Sequence, residues 1–350
     1  MTKDHRRRLD FAQKLEQYRR VTYRQIDSLM QRRHFGSALL SRLLPEFTNR
    51  RGKAIRPALC MASCAACSGN PMDALNSAVA IELFHNAFLI KDDVEDDSEY
   101  RRRDETLKTR YGAAVALNVG DAMSVLAIGA LLRNVETIGV RAALAVFEEI
   151  QQMAARTVGG QAMELQWVRH NAWHIRDRDY YAMCEAKTAW YTAATPCRVG
   201  ALIGAPEIDA ARLRSLTAFG LRLGLAFQIQ DDILNLTADE AAYGKEINGD
   251  LIEGKRTLIL ITTFRRATSA ERTKIRRITA KTRARKTKDD VRFLRQLIGR
   301  YDVLATCARA SRRFASQALQ IMDSECSWIA NDEQKAFLRE MANYVITRPI

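Results

Sequence analysis

Two stretches decide how this chain is read: Leu89-Ile90-Lys91-Asp92-Asp93-Val94-Glu95-Asp96-Asp97 and Phe227-Gln228-Ile229-Gln230-Asp231-Asp232-Ile233-Leu234-Asn235. Each places acidic side chains inside a segment whose apolar residues recur at spacings of three and four, the period of a helix. On a helix Asp92 and Asp96 lie one turn apart on one face, and Asp231 and Asn235 stand in the same relation. Carboxylates converging on one spot repel one another unless cations or protons neutralise them. Oxygen ligands without nearby Cys or His favour Mg²⁺ over zinc, and Mg²⁺ completes its shell with water and substrate phosphates. For either cluster alone a solvated helix end is the simpler account. Two matching clusters point to a shared role.

The helical pattern extends outward from both. No proline occurs between Pro71 and Pro196 or between Pro206 and Pro349, Ala and Leu are abundant, and no alternating β-branched run appears. Asn70-Pro71 with Asp73 reads as a helix start, and Ala205-Pro206-Glu207 as another. There is no fixed-period repeat and no linker-like segment. The expected fold is all-α, a single domain over residues 1–350, with a basic N-terminal helix over 1–50 and the motifs between about 50 and 260.

Composition narrows the classes. The 350 residues carry 55 Lys and Arg against 41 Asp and Glu, a net charge of +14. Residues 1–60 hold 15 basic and 5 acidic side chains and residues 265–288 hold 11 and 1, so the remainder of the chain is net −6. The runs Arg6-Arg7-Arg8 and Lys281 to Lys288 read as solvated faces. Without aromatic–basic interleaving or finger spacing, no nucleic-acid partner is expected, and attraction of anionic substrates or acidic membrane surfaces fits better. The longest uncharged run, Pro57 to Met72, is 16 residues, short of the ~20 that span a bilayer, and the N-terminus lacks an apolar leader. The odd set of seven cysteines reads as reduced core residues of a cytoplasmic protein, and Cys60, Cys64 and Cys67 lack a fourth soft ligand. His170 and His174 lack a third.

Basic residues flank the acidic clusters. Gly52-Lys53-Ala54-Ile55-Arg56-Pro57 sets two cations three apart, Arg101-Arg102-Arg103 follows the first cluster, and Lys187-Thr188, Lys245 and Gly254-Lys255-Arg256-Thr257 add donors. Arg grips phosphate through paired hydrogen bonds, while Lys acts as a mobile point charge. His85, two turns before Asp92, reaches the same face.

Taken in order, Gly52-Lys53-x-x-Arg56-Pro57, Asp92-Asp93-x-x-Asp96 with Arg101-Arg102, Gly160-Gln161-x-x-Glu164, Lys187-Thr188, Phe227-Gln228-x-x-Asp231-Asp232 and Gly244-Lys245-Glu246 through Thr257 resemble the trans-isoprenyl diphosphate synthases, the polyprenyl synthetase family, of the short-chain farnesyl or geranylgeranyl type. The resemblance implies an isoprenoid-synthase-type bundle of long helices around a deep central cavity, a homodimer, and Mg²⁺-dependent head-to-tail prenyl transfer between isopentenyl and allylic diphosphates. It implies that Asp92 and Asp96 hold two Mg²⁺ ions and Asp231 a third, with Asp93 and Asp232 supporting. Arg101, Lys187, Gln228, Lys245 and Lys255 would face the allylic diphosphate, and Lys53, Arg56, His85 and Arg102 the isopentenyl diphosphate. Lys187, Thr188 and Gln228 would serve catalysis, the last two through oxygen dipoles at the carbocation.

Departures from the family pattern are Asn235 for a last Asp, Glu164 for a usual Asp, Lys91 before Asp92, and Arg103-Asp104-Glu105. Product length is expected to depend on the helix carrying Asp92, whose turns rise ~5.4 Å, about one isoprene unit. Phe88 lies one turn below Asp92, Phe84 two, and small Ala87 beside them. That pattern points to geranylgeranyl diphosphate (C20), with a farnesyl (C15) synthase as the alternative. A class I terpene cyclase would share the first cluster but would not need Lys53, Arg56 and His85 for a second diphosphate.

Overall fold

The computed structural model describes residues 3–32, 35–238 and 246–347. Long helices dominate: α1 (Lys3–Arg32), α2 (Ala38–Thr48), α3 (Ile55–Ala66), α4 (Leu75–Glu95), α5 (Leu107–Tyr111), α6 (Ala113–Leu132), α7 (Asn134–Arg169), α8 (Asp177–Cys184), α9 (Thr195–Gly204) and α10 (Ala210–Thr237). Further helices follow, ending with Lys288–Arg300, Val303–Ser324 and Asp332–Thr347. The all-α expectation holds, with local differences. The N-terminal 50 residues form two helices rather than one, because Gly36 takes φ +65° and Ser37 caps α2 by accepting from the Leu40 N–H. Asn70 caps a 3₁₀ turn, Pro71–Ala74, that runs into α4. Ala205-Pro206-Glu207 is instead a turn after α9, and α10 starts at Ala210, where Asp209 accepts from the Arg212 N–H. The Asp209 carboxylate satisfies a free helix-end donor, which a proline ring cannot.

A two-stranded ladder was not expected. Tyr100–Arg101 pairs antiparallel with Asp104–Glu105, closed by Arg102 and Arg103, both at positive φ. Two side-chain-bearing residues in that region cost about 1–3 kcal/mol each, so the turn holds its shape against its own sequence preference.

One apolar core runs from Phe11 to Val345. Helices α4 and α6, α3 and α9, and α10 and Val303–Ser324 form its main packed pairs. Phe11 stacks near Phe337 and Tyr344, at 5.0 and 5.4 Å, tying the two ends of the chain together. Contrary to the sequence expectation, one described helix, α6, is long and apolar enough to cross a bilayer; Asp121 interrupts its uncharged run without lowering its mean hydropathy enough. Half of it is buried, packed on α4. It exposes Leu117, Val125, Ile128 and Leu132, and α7 exposes Val140, Leu144 and Phe147.

Candidate active site

A cavity of about 580 Å³ opens between α3, α4, α7, α10 and the segment Glu185–Ala194. That segment is a π-helix, a wider coil frequently found at functional sites. It carries Lys187, Thr188 and Tyr191 to the wall. Gly160 and Gly224 let the neighbouring helices approach it: a Cβ on Gly160 would lie 2.2 Å from the Lys187 nitrogen, and one on Gly224 2.4 Å from Ala189 Cα. This explains Gly160 in the Gly160-Gln161-x-x-Glu164 block.

Both acidic clusters reach this cavity. At the end of α4, Asp92 accepts from Arg101 Nη2 at 3.1 Å and from Lys187 Nζ at 3.3 Å. Buried Asp93 accepts from Arg101 Nε at 2.5 Å. Lys187 also bridges to Glu164 at 2.5 Å, and Lys255 to Asp96 at 2.5 Å. The cations meant for a diphosphate are thus already engaged with carboxylates. Burial, then Asp92, raises Asp96 well above the ordinary carboxylate range, although Lys255 opposes the shift. Burial works against the Lys187 charge, but Asp92 and Glu164 outweigh it and raise its affinity for the proton.

The second cluster is held differently. Asp231 and Asn235 line the cavity. Asp232 accepts from Tyr180 Oη at 2.7 Å and from Gln228 Nε2 at 2.8 Å, and Thr188 Oγ1 donates to Gln228 Oε1 at 2.8 Å. Burial, then Asp250, raises Asp232 strongly, while Tyr180 and Gln228 pull it down.

A further set of basic residues lines the same cavity. Lys53, Arg56, His85 and Arg102 all line the cavity. Arg56 donates to Thr192 Oγ1 at 2.9 Å and sits 4.4 Å from the Tyr191 ring. The strained turn separates Arg101, which faces the aspartates, from Arg102, which donates to the Arg50 carbonyl and to Asn86 Oδ1, both at 3.3 Å. Lys53 reaches the C-terminal helix, 5.8 Å from the Tyr344 ring. Lys245 lies outside the described residues.

On the apolar side Phe88 lines the cavity, edge-on to Tyr191 at 5.7 Å. Phe84 stacks behind Phe88 at 6.2 Å and does not line it. Ala87 is fully buried and its carbonyl faces Gly120 of α6, so it too is away from the cavity. Reading the sequence missed Tyr180, Tyr191, Gln161 and Glu253. Only Gln161, inside a quoted block, left a trace there; it donates to Glu95 Oε2 at 2.6 Å. The seven cysteines form no disulfide and are buried, and burial pushes the Cys64 and Cys67 thiols up to about 12.

The donor set suits a hard divalent ion. Among the described residues no group of three or more His, Cys, Asp or Glu is gathered at one point; the carboxylate oxygens that line the cavity are the ligand type Mg²⁺ takes, with water and phosphate completing its shell.

The sequence profile described as Polyprenyl synthetase matches residues 37–298. The chain is 34% identical to the short chain isoprenyl diphosphate synthase of Methanothermobacter thermautotrophicus over 64% of its own length and 66% of that relative's. It is 32% identical to the (2E,6E)-farnesyl diphosphate synthase of Mycobacterium bovis over 86% of this chain and 80% of that one. So the chain spans just under two thirds of the first relative and more of the second. Its fold superposes on the geranylgeranyl pyrophosphate synthase of Corynebacterium glutamicum, solved with isoprenyl diphosphate and magnesium, with a TM-score of 0.85, 23% identity and coverage of 96% and 99%. With that profile matched across most of its length, the chain belongs to the polyprenyl synthetase family.

Proposed function

We propose that this protein is a prenyltransferase that condenses isopentenyl diphosphate head-to-tail with allylic diphosphates, depends on Mg²⁺, and ends at geranylgeranyl diphosphate. The observation that carries the proposal is one cavity lined by two sets of basic residues, Lys187, Lys255 and Arg101 engaged with the aspartates, and Lys53, Arg56, His85 and Arg102 with other partners. A cyclase with a single diphosphate needs only the first.

Bound at Asp92, Asp96 and Asp231, Mg²⁺, three ions by the family resemblance, would supply the positive charge that lets the allylic C–O bond ionise. Lys187, Lys255 and Arg101, freed from their carboxylates, turn to the diphosphate oxygens. The chain from Asp232 through Gln228 to Thr188 fixes the Thr188 hydroxyl proton on Gln228, so the Thr188 lone pairs face the allylic cation. Phe88, Tyr191 and Phe227 wall off water. Arg56 and Arg102 hold the second diphosphate while its alkene attacks, and the proton leaves to the released diphosphate. Phe88 forms the floor that sets the product at C20. The exposed apolar face of α6 and α7 is where a second copy docks, since a contiguous patch of this kind marks an interface. The seven free thiols suit the cytoplasm.

The test is a product assay with labelled isopentenyl diphosphate and dimethylallyl, geranyl or farnesyl diphosphate, with and without Mg²⁺. Mg²⁺-dependent C20 is expected. A stop at C15 moves the floor up one turn; C30 or longer sinks the Phe88 floor; a cyclic hydrocarbon without condensation sinks the synthase reading. Sedimentation of the same protein is expected to give a dimer, and a monomer sinks that part.

A further inference from the structure

The run Lys281 to Lys288 reads in sequence as a solvated face, yet part of it is folded against residues at the edge of the cavity. Arg283, only 12% exposed, donates through Nη2 to Glu246, and its Nη1 lies 3.6 Å from Glu253 Oε1. Three residues on, the Lys286 ammonium donates to the Ile252 carbonyl. Gly254 turns there at φ +78°, and a Cβ on it would lie 3.2 Å from Lys286 Nζ. Glu253 in turn accepts from Ser98 Oγ at 3.2 Å and lies 3.0 Å from Lys255 Nζ, which bridges to Asp96. Charges of alternating sign therefore run from the rim to the metal-side carboxylates: Glu246, Arg283, Glu253, Lys255, Asp96.

In a site poor in water, the pull of a carboxylate on a nearby cation depends on what else neutralises it. Lys255 is shared between Asp96 and Glu253, and it must swing to any anion that enters the cavity. Arg283 takes up part of the Glu253 charge. Burial, then Arg256, pushes Lys286 down to about 8, and of the two it is Arg283 whose side chain reaches Glu253.

We infer that Arg283 is a positioning residue: by partly neutralising Glu253 it keeps Lys255 available to a diphosphate in the cavity instead of captured at the rim. This rests on the prenyltransferase reading only in taking diphosphate as the ligand of Lys255.

Calorimetric titration of the full chain with inorganic diphosphate in Mg²⁺ tests it without turnover. Arg283→Ala is expected to bind about fivefold to tenfold more weakly than wild type. Arg283→Lys is expected to recover most of that loss, and in steady state Arg283→Ala raises KM for the allylic substrate more than for isopentenyl diphosphate. The discriminating variant is Arg283→Ala with Glu253→Gln. Once Glu253 is neutral, removing Arg283 is expected to cost less than about twofold. A loss in that background equal to the loss in wild type makes Arg283 merely structural and overturns the inference, as does wild-type binding by Arg283→Ala. If Arg283→Ala does not fold, Glu253→Gln alone decides, since binding weaker than wild type contradicts the capture of Lys255 by Glu253. A wild-type protein that binds no diphosphate in Mg²⁺ overturns the prenyltransferase reading and this inference together.

Discussion

The aspartates at the end of α4 and those near the end of α10 face one cavity but are neutralised by different means. Asp92, Asp93 and Asp96 are engaged by Arg101, Lys187 and Lys255. Both oxygens of Asp232 are taken by neutral donors, the Tyr180 hydroxyl and the Gln228 amide. In the first arrangement the cations rest on carboxylates. The second stores no charge; it orients Gln228 and, through it, Thr188. The pair shows that similar acidic motifs are held by charged partners on one helix and by neutral donors on the other.

The largest effect expected from this contrast is at Asp92. Asp92→Ala removes the acceptor shared by Arg101 and Lys187, and activity should fall roughly a hundredfold to a thousandfold. Added Mg²⁺ should not rescue it, because the released cations remain in the ion's place; rescue by excess Mg²⁺ would erase the distinction between the clusters.

A smaller loss is expected at the second cluster. Tyr180→Phe deletes one donor to Asp232 and should weaken Mg²⁺ affinity about tenfold, the usual cost of losing an outer hydrogen bond to a ligand set. That hydrogen bond pulls the Asp232 proton affinity down. Its loss should move the acid limb of the pH–rate profile to higher pH. A profile that stays in place would mean that Asp232 does not need its charge.

The two clusters also bear on stability. Asp96 and Asp232 bind a proton more tightly in the folded chain than in the unfolded one, both being raised above an ordinary value of 3.8. Their protonated forms therefore favour folding, and stability falls as pH rises from that ordinary value through the raised ones. Asp179, Asp209 and Asp290 are lowered and act the opposite way, losing their contribution as pH falls below the ordinary range. Melting in EDTA should thus show a smaller decline toward alkaline pH in Asp232→Asn than in wild type. Equal slopes in the two proteins would contradict the shift at Asp232.

The smallest change is expected at Asn235, whose Oδ1 accepts from the Asp250 N–H at 3.2 Å. An aspartate accepts the same bond, so Asn235→Asp should change turnover by less than about threefold, the scale of a preserved neutral hydrogen bond. A large gain would show that the amide limits metal binding.

Much of this was legible in the chain itself. The helical period around Asp92 and Asp231, the proline-free stretches and the order of the short blocks led to the fold and to many of the charged residues that line the cavity. Where the reading went astray the cause was local competition: Asp209 outcompeted Pro206 as a cap, Gly36 broke the N-terminal helix, and Arg102 and Arg103 adopted a hairpin turn that their side chains disfavour. Phe84, Phe88 and Ala87 share a helix, yet only Phe88 reaches the cavity, because α6 and the Tyr191 ring decide which face is free.

The sequence by itself therefore determined which chemical groups exist and which helical faces carry them, since spacing and period are properties of a single segment. Only the tertiary structure decided how those groups are paired: that Lys187 and Lys255 rest on aspartates, that Tyr180 and Gln228 hold Asp232, and that Arg283 reaches Glu253. Those pairings join residues from 4 to 159 positions apart. The strength of each is set by burial and by the neighbouring charges, which no local pattern contains.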